Sequence, residues 1–323
     1  MLEDAHPEGH AKRPRLLVTS RQLAAMAQPP EHEFELLYLE DRNDPDGWLR
    51  TMGQGVEVVL ASGMERFDAA RLDLLPDLKL ISVCAAGVGG IELEAARIRG
   101  VAVTNAGDIN AGDVADYAIA MALAHVRELV ANDAYVRADR WPDARRPLAP
   151  SMSAKRVGIV GLGHIGRAIA TRMTPFGCPV AWWGRRPQPE LQWPMIDSLA
   201  ELAAWSDILC VAVAGNATTR GLITADIIAR LGPAGLLVNV SRGFVVDEAA
   251  LRAALKAGEL GGAALDVFEK EPILGSDWAD VPNVLMAPHV GGATSEAVAK
   301  AMAGALDNVR RCLAGQELSR RVV

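Results

Sequence analysis

Two doubly wound α/β domains, each built on a parallel sheet, are what this sequence of 323 residues predicts. Three observations carry that expectation. Short, near-continuous apolar runs recur along the chain, alanine- and leucine-rich helical stretches separate them, and the runs fall into two series. A strand buried on both faces reads as an unbroken apolar run, and the intervening helices supply the cover. The length suffices for two domains of ordinary size.

In chain order, the first series is "RLLVT" (15–19), "VEVVL" (56–60), "KLISVCA" (79–85) and "VAVTN" (101–105). The segment "AGDVADYAIAMALAHVRELVA" (111–131) then reads as one long connecting helix. The second series is "RVGIVG" (156–161), "PVAWW" (179–183), "DILCVAV" (207–213), "GLLVNV" (235–240), "GAALDV" (262–267) and "NVLMAP" (283–288). Within it, "DEAALRAALKAGEL" (247–260) is helical, with Asp247 as N-cap and Gly261 as C-terminal stop. A last helix, roughly 293–314, returns the chain to the first domain. The expected division is therefore 1–104 completed by 292–323, with 105–291 inserted as the second domain. No internal repeat or low-complexity segment is found.

Composition narrows the function. Hydrophobic residues make up 50% and charged residues 23%, the balance of a globular domain. A formal net charge of -7 argues against a nucleic-acid partner, though not against a local basic pocket for a small anion. Cys84, Cys178, Cys210 and Cys312 show no paired spacing, so neither a zinc site nor a disulfide framework is expected, and a reducing, cytoplasmic compartment follows. The polar opening "MLEDAHPEGHAKR" has no signal-peptide core, and His6 and His10 read as part of a disordered tail rather than as metal ligands. No apolar run reaches membrane-spanning length, so no membrane partner is expected.

The strand at 156–161 runs into Gly161, Gly163 and Gly166, a G-x-G-x-x-G pattern that opens the helix "HIGRAIATRM". In that context the glycines have separable tasks. Gly161 permits a tight turn, Gly163 lets the backbone approach a pyrophosphate, and Gly166 allows close helix–strand packing. The amides of His164 and Ile165 then face the phosphates from a helix N-terminus. The next strand ends beside the adenosine ribose, where an acid would grip the 2′-hydroxyl and repel a 2′-phosphate. Here that position is Gly184, followed by Arg185 and Arg186, whose guanidinium groups suit a phosphate. NADP(H) is the expected cofactor, with NAD(H) the weaker alternative.

Further polar residues stand at or just beyond later strand ends: Arg242 in "VNVSRG", Asp266 and Glu271 in "ALDVFEKEP", and His289 in "APHVGG". Ligands of open parallel sheets sit outside those ends. Reduction of a 2-oxo acid needs a cation for the carboxylate and carbonyl, which Arg242 supplies. It also needs a proton donor for the developing alkoxide, which His289 supplies with Glu271 on its other ring nitrogen.

On "VGIVGLGHIGRAIA", "LVNVSRGFVVDEAAL", "GAALDVFEKEP" and "VLMAPHVGGAT", the chain resembles the D-isomer-specific 2-hydroxyacid dehydrogenases over about residues 78–312. The arginine-bearing second strand and the 18-residue spacing of Glu271 and His289 are most similar to glyoxylate/hydroxypyruvate and hydroxyphenylpyruvate reductases. The resemblance implies a Rossmann NAD(P)-binding domain inserted in a flavodoxin-like substrate domain. It implies that Arg242 binds and polarises the substrate, that His289 is the acid/base, and that Glu271 is its partner. Asp266 would orient the nicotinamide carboxamide, while Val213, Ala214, Val240 and Ser241 would line the cofactor. Gly87 and Val88 of "AAGVGGIE" would receive the substrate carboxylate on their amides, in a site between the domains. Gly89 and Gly90 replace an aspartate and a polar residue common in the family, which bears on substrate range. A homodimer is implied, with the arm "RADRWPDARRPLAPSM" (137–152) carrying Trp141 either into the partner's cleft or onto the dimer interface without substrate contact.

The expected activity is NADPH-driven reduction of small 2-oxo acids such as glyoxylate or hydroxypyruvate to D-2-hydroxy acids, with no metal. The alternatives are an NAD(H)-dependent D-2-hydroxyacid dehydrogenase of another substrate class, a formate or phosphite dehydrogenase, and a nucleotide-sensing corepressor. The Glu271–His289 pair speaks against a formate enzyme, for which a glutamine–histidine arrangement is expected.

Overall fold

A computed structural model describes residues 13–40 and 42–323; His6 and His10 lie outside the described residues. The elements run β1 (Arg15–Val18), α1 (Arg21–Ala27), β2 (Glu35–Tyr38), α2 (Pro45–Met52), β3 (Val56–Ala61), α3 (Ala69–Leu72), β4 (Leu80–Val83), α4 (Leu93–Ile98) and β5 (Ala102–Thr104). There follow α5 (Ala111–Val126), α6 (Leu129–Arg137), β6 (Val157–Val160), α7 (His164–Met173), β7 (Val180–Trp183), α8 (Leu199–Trp205) and β8 (Ile208–Val211). The chain ends with α9 (Ala225–Leu231), β9 (Leu236–Asn239), α10 (Glu248–Ala257), β10 (Gly262–Leu265), β11 (Val284–Met286) and α11 (Ser295–Leu313).

The chain forms two compact units, one of the described residues up to Ile109 with Ser295–Val323, the other of Asn110–Thr294. The first holds a five-stranded sheet in the order β2-β1-β3-β4-β5, every pairing parallel. That is the flavodoxin-like order. Apolar clusters lie on both faces of this sheet, and α11 supplies Met302, Ala305, Leu306 and Val309 to one of them. Strand β2 has no counterpart in the sequence reading. It is an edge strand with one buried residue, Leu37, so its apolar signal is weak.

The second unit holds a six-stranded parallel sheet, β11-β10-β9-β8-β6-β7. A single parallel bridge between Trp182 and Met195 stands on the outer edge of β7, where a third strand would complete the dinucleotide-binding order. Strands β6, β8, β9 and β10 are buried at every residue. Helices α5 and α7 contribute to the core on one face, and α8, α9 and α10 to the core on the other.

Two helical expectations are corrected. The segment 111–131 is not one helix, because it breaks at Glu128, whose φ of 51° is left-handed. Helix α5 buries eight residues, whereas α6 buries none. Without a core-facing stripe to keep it in line, the chain turns out, and the Glu128 carboxylate pairs with Arg146 of the following arm. Helix α10 starts as expected, with the Asp247 side chain accepting the Ala250 amide at 2.9 Å. It stops at Gly258, in the left-handed conformation at φ 70°, rather than at Gly261. Among the described residues no helix is long and apolar enough to cross a membrane.

Candidate active site

In the second unit the sequence-predicted side chains collect at the carboxyl ends of the strands. Strand β6 runs directly into Gly161, at φ 91°. A Cβ there would lie 2.6 Å from Val213 Cγ1, so the turn is packed against the residue that follows β8. At Gly166 a Cβ would fall 2.0 Å from the Gly161 carbonyl oxygen, which is the contact that seats α7 on β6. Gly163, by contrast, has nothing within 4 Å of its Cβ position. Two glycines thus serve the fold while the third leaves open space in front of α7. Gly163 caps that helix without a side-chain hydrogen bond. The helix begins at His164, and Ile165 packs on the core beneath. This open helix start, with no side chain on its cap, behind a buried strand fits the pyrophosphate of a dinucleotide.

Beyond β7, Gly184 is followed by two exposed arginines. Arg185 donates from Nη1 to Thr218 Oγ1 at 3.3 Å, and Thr218 in turn donates to Asn216 Oδ1 at 2.7 Å. Arg186 has no hydrogen-bond partner among the described residues. After β8, the Ala214 carbonyl accepts the Thr219 hydroxyl at 2.9 Å. A Cβ at Gly215 would lie 2.3 Å from Arg242 Cγ, so this loop supports the stem of Arg242.

Past β9, Val240 and Ser241 are buried and Arg242 is half-buried. The turn is organised by Asn239, itself buried. Its Oδ1 accepts the Ser241 amide at 3.1 Å and the Ser241 hydroxyl at 2.9 Å, while its Nδ2 donates to the Arg242 carbonyl at 3.2 Å. The Arg242 guanidinium donates from Nη1 to the Ser241 carbonyl at 2.6 Å. Gly243 lies hard against the segment after β10, where a Cβ would be 1.8 Å from the Phe268 carbonyl carbon. Only glycine brings the arginine turn so close to the acidic segment.

His289, past the end of β11, meets Glu271 through Nδ1 and Oε2 at 2.7 Å. The other Glu271 oxygen accepts the Phe268 amide at 2.9 Å, so the carboxylate is held at both ends. The imidazole is 42% exposed and Glu271 31%, which leaves Nε2 free of this pairing. The backbone of His289 is left-handed, φ 56°, a conformation that costs on the order of 1 kcal/mol or more away from glycine. Asp266 holds it there, being only 3% exposed and accepting the Val290 amide at 2.8 Å and the Gly291 amide at 2.9 Å. Burial raises the Asp266 carboxyl above its ordinary range, against the opposing pull of those amides and of the His289 ring. A cleft of about 490 Å³ opens beside the pair, lined by Phe268, Pro272, Ile273, Met286 and Pro288 as well as by Glu271 and His289.

Residues 119–291 match the family model described as D-isomer specific 2-hydroxyacid dehydrogenase, NAD binding domain. The chain belongs to the D-isomer-specific 2-hydroxyacid dehydrogenase family. It is 40% identical to a 2-ketogluconate reductase of Gluconobacter oxydans over 248 residues, 77% of this chain and 80% of that protein. It is 38% identical to a hydroxyphenylpyruvate reductase of Plectranthus scutellarioides over 271 residues, 84% of this chain and 87% of the relative. Among solved structures, the NADPH-dependent glyoxylate/hydroxypyruvate reductase of Sinorhizobium meliloti, in complex with NADP and malonate, matches at a TM-score of 0.88 and 33% identity. That match covers 97% of each chain.

Within this dehydrogenase, Gly161, Gly163, Gly166, Val213, Arg242, Asp266, Glu271 and His289 follow the carboxyl ends of strands of one sheet. Gly87 and Val88 belong to the other unit, in the turn after β4, where Ile91 donates to the Val88 carbonyl at 3.0 Å. Trp141 is 62% exposed in the arm after α6. Two organising residues escaped the sequence reading. Asn239 stands inside the quoted "VNVSRG", and an amide side chain in an apolar strand end is the signal that could have found it. Glu65 accepts the Ser62 amide at 3.1 Å, the Gly63 amide at 3.1 Å and the Ser62 hydroxyl at 2.9 Å, and it also bonds Thr19. Gly63 then accepts the Gly90 amide at 2.9 Å, which ties Glu65 to the 87–90 turn. The glycine at 90 has a local cause, since a Cβ there would lie 2.4 Å from the Glu65 carbonyl oxygen. Gly89 faces open space.

Proposed function

We propose that this chain is an NADPH-preferring reductase of small 2-oxo acids, of the glyoxylate or hydroxypyruvate class, giving D-2-hydroxy acids. The observation that carries the reading is the pairing of His289 Nδ1 with Glu271 at the same carboxyl end of the sheet as Arg242 and the glycine turn. The 110–294 unit is then the dinucleotide-binding domain, and the unit of the remaining residues the substrate domain. A nicotinamide dinucleotide held by the Gly161–Gly166 turn would supply the hydride that reduces the carbonyl carbon. Arg242, its stem propped by Gly215, draws electron density onto the carbonyl oxygen and grips the carboxylate as a fork. In the other unit, the Gly87 and Val88 amides are the donors we assign to a substrate carboxylate. His289 gives the proton at Nε2 to the forming alkoxide, because Glu271 holds the proton on Nδ1. Asp266 fixes the ring's backbone, and its remaining lone pairs are available to the carboxamide.

The cofactor assignment rests on the absence of an acid at Gly184 and on Arg185 and Arg186 beyond it. The Sinorhizobium meliloti relative, described as NADPH-dependent, supports it. We place the protein in the cytoplasm as a homodimer. The apolar residues left exposed on α6 and the arm, Leu129, Val130, Val136, Trp141 and Leu148, support a covered face there.

The test is NADPH oxidation against 2-oxo acids graded by side-chain bulk, repeated with NADH. Turnover that favours NADPH and the small acids is expected. No turnover across the panel, with nucleotide still binding, would refute the enzyme reading.

A further inference from the structure

We propose that Trp182 sets which dinucleotide the chain accepts, because its buried indole closes residue 184 to any side chain. The inference rests on the NADP(H) reading above and adds the residue that enforces it. Gly184 is not demanded by its backbone, which is not left-handed. The demand is steric. A Cβ at residue 184 would lie 2.9 Å from Trp182 Cζ3 and 3.5 Å from Cε3, whereas carbon atoms rest about 3.5–4.0 Å apart. Every side chain that could grip the ribose 2′-hydroxyl starts with that Cβ.

The indole has no room to yield. Trp182 is 1% exposed and sits in the core shared by α5 and α7. Its Nε1 donates to the Trp193 carbonyl at 3.0 Å. Its backbone amide donates to Pro194 at 3.1 Å, and its carbonyl accepts the Ile196 amide at 2.8 Å. Ring and backbone are thus both tied to the 193–196 segment, so the edge that faces Gly184 stays put. Meanwhile Arg185 is steadied by Thr218, in the helical turn that follows β8. A carboxylate at residue 184 is excluded by packing, while the cations beside it are held out for a phosphate. Exchanging Gly184 for an acid should therefore fail to create an NAD(H) site unless the indole is reduced at the same time.

The experiment is a double-mutant cycle over G184D and W182F, read by calorimetric titration of NAD+ and NADP+ and by thermal unfolding without nucleotide. G184D alone is expected to lose NADP+ affinity, to gain less than about twofold for NAD+, and to unfold at a lower temperature. W182F/G184D is expected to bind NAD+ about tenfold tighter than W182F, the scale of one gained hydrogen bond to a charged group. G184A should lower Tm by about 3 °C or more in the native background, and by less than half of that beside W182F. If G184D alone gains tenfold for NAD+, or if G184A costs the same in both backgrounds, the inference is overturned. Should W182F/G184D not fold, W182F/G184S gives the same comparison. The unfolding arm needs no nucleotide. Should the native protein favour NAD+ while the Tm coupling holds, the NADP(H) reading fails and the steric role of Trp182 stands.

Discussion

His289 has the supports that its proposed role, donating a proton from one ring nitrogen, would require. Glu271 holds Nδ1 at 2.7 Å, and the Phe268 amide holds Glu271. The left-handed backbone that aims the ring is held by Asp266 through two amides. His289→Ala should lower kcat by roughly 100- to 10,000-fold while NADPH still binds, as fluorescence titration would show; turnover near the native level would send the acid elsewhere. Asp266→Asn keeps the volume but turns an N–H toward one of the two buried amides. A loss of about 1–3 kcal/mol of stability is expected with a fall in kcat, measured by urea unfolding and kinetics. Because burial raises the folded Asp266 above the unfolded value of 3.8, its contribution to stability is full below that value and is lost as pH rises through the folded pKa. The native-over-Asn margin should accordingly shrink as pH climbs from about 3.8. The placement of Arg242 and His289 was legible in the sequence because each closely follows an apolar run, and that of Glu271 because it stands five residues past Asp266 at such an end. The tasks of Asn239 and Glu65 were not, because they lie in hydrogen bonds to turns that only the folded backbone forms.

Among the elements, the β6–α7 turn separates fold from binding glycine by glycine. Gly166→Ala drives a Cβ into the Gly161 carbonyl at 2.0 Å, a backbone atom that cannot swing aside. Misfolding, or a Tm lowered by at least about 4 °C, is expected. Gly163→Ala meets nothing within 4 Å, so its stability cost should stay below about 1 kcal/mol, that of a poorer N-cap. Its dinucleotide affinity should nonetheless fall, because the methyl occupies the space left for the phosphates. Calorimetry on both variants decides this; a Gly163→Ala protein that binds normally would remove the phosphate role. The same strand and helix were plain in the sequence, since a four-residue buried run followed by glycines leaves little else to be. The edge strand β2 was not, since only one of its residues is buried. The α5–α6 break was missed because alanine and leucine continue past it, and a left-handed Glu128 leaves no compositional mark.

At the scale of the molecule, the interior and the exterior make different demands on the same residue types. The thiols of Cys84 and Cys210 lie in apolar surroundings that push both up to about 12, chiefly by burial. Cys178 is also buried and raised, whereas Cys312 is only partly covered. At pH 8 the native protein should therefore release thiol to a disulfide reagent slowly and chiefly from Cys312, with all four reacting in denaturant. Fast reaction of two or more would contradict the packing of both cores. Outside, α6 keeps Leu129, Val130 and Val136 in solvent with no buried residue at all. A helix that buries nothing against its own chain is held by something else or is marginal. If a second copy covers that face, sedimentation equilibrium should return twice the chain mass. Val130→Glu with Val136→Glu should then shift the protein toward monomer and cost activity together. The side chains proposed for catalysis all lie on other elements, so a monomer with undiminished turnover would show that the dimer contributes nothing to the site. A native protein that sediments as a single chain would show that α6 stands exposed on its own.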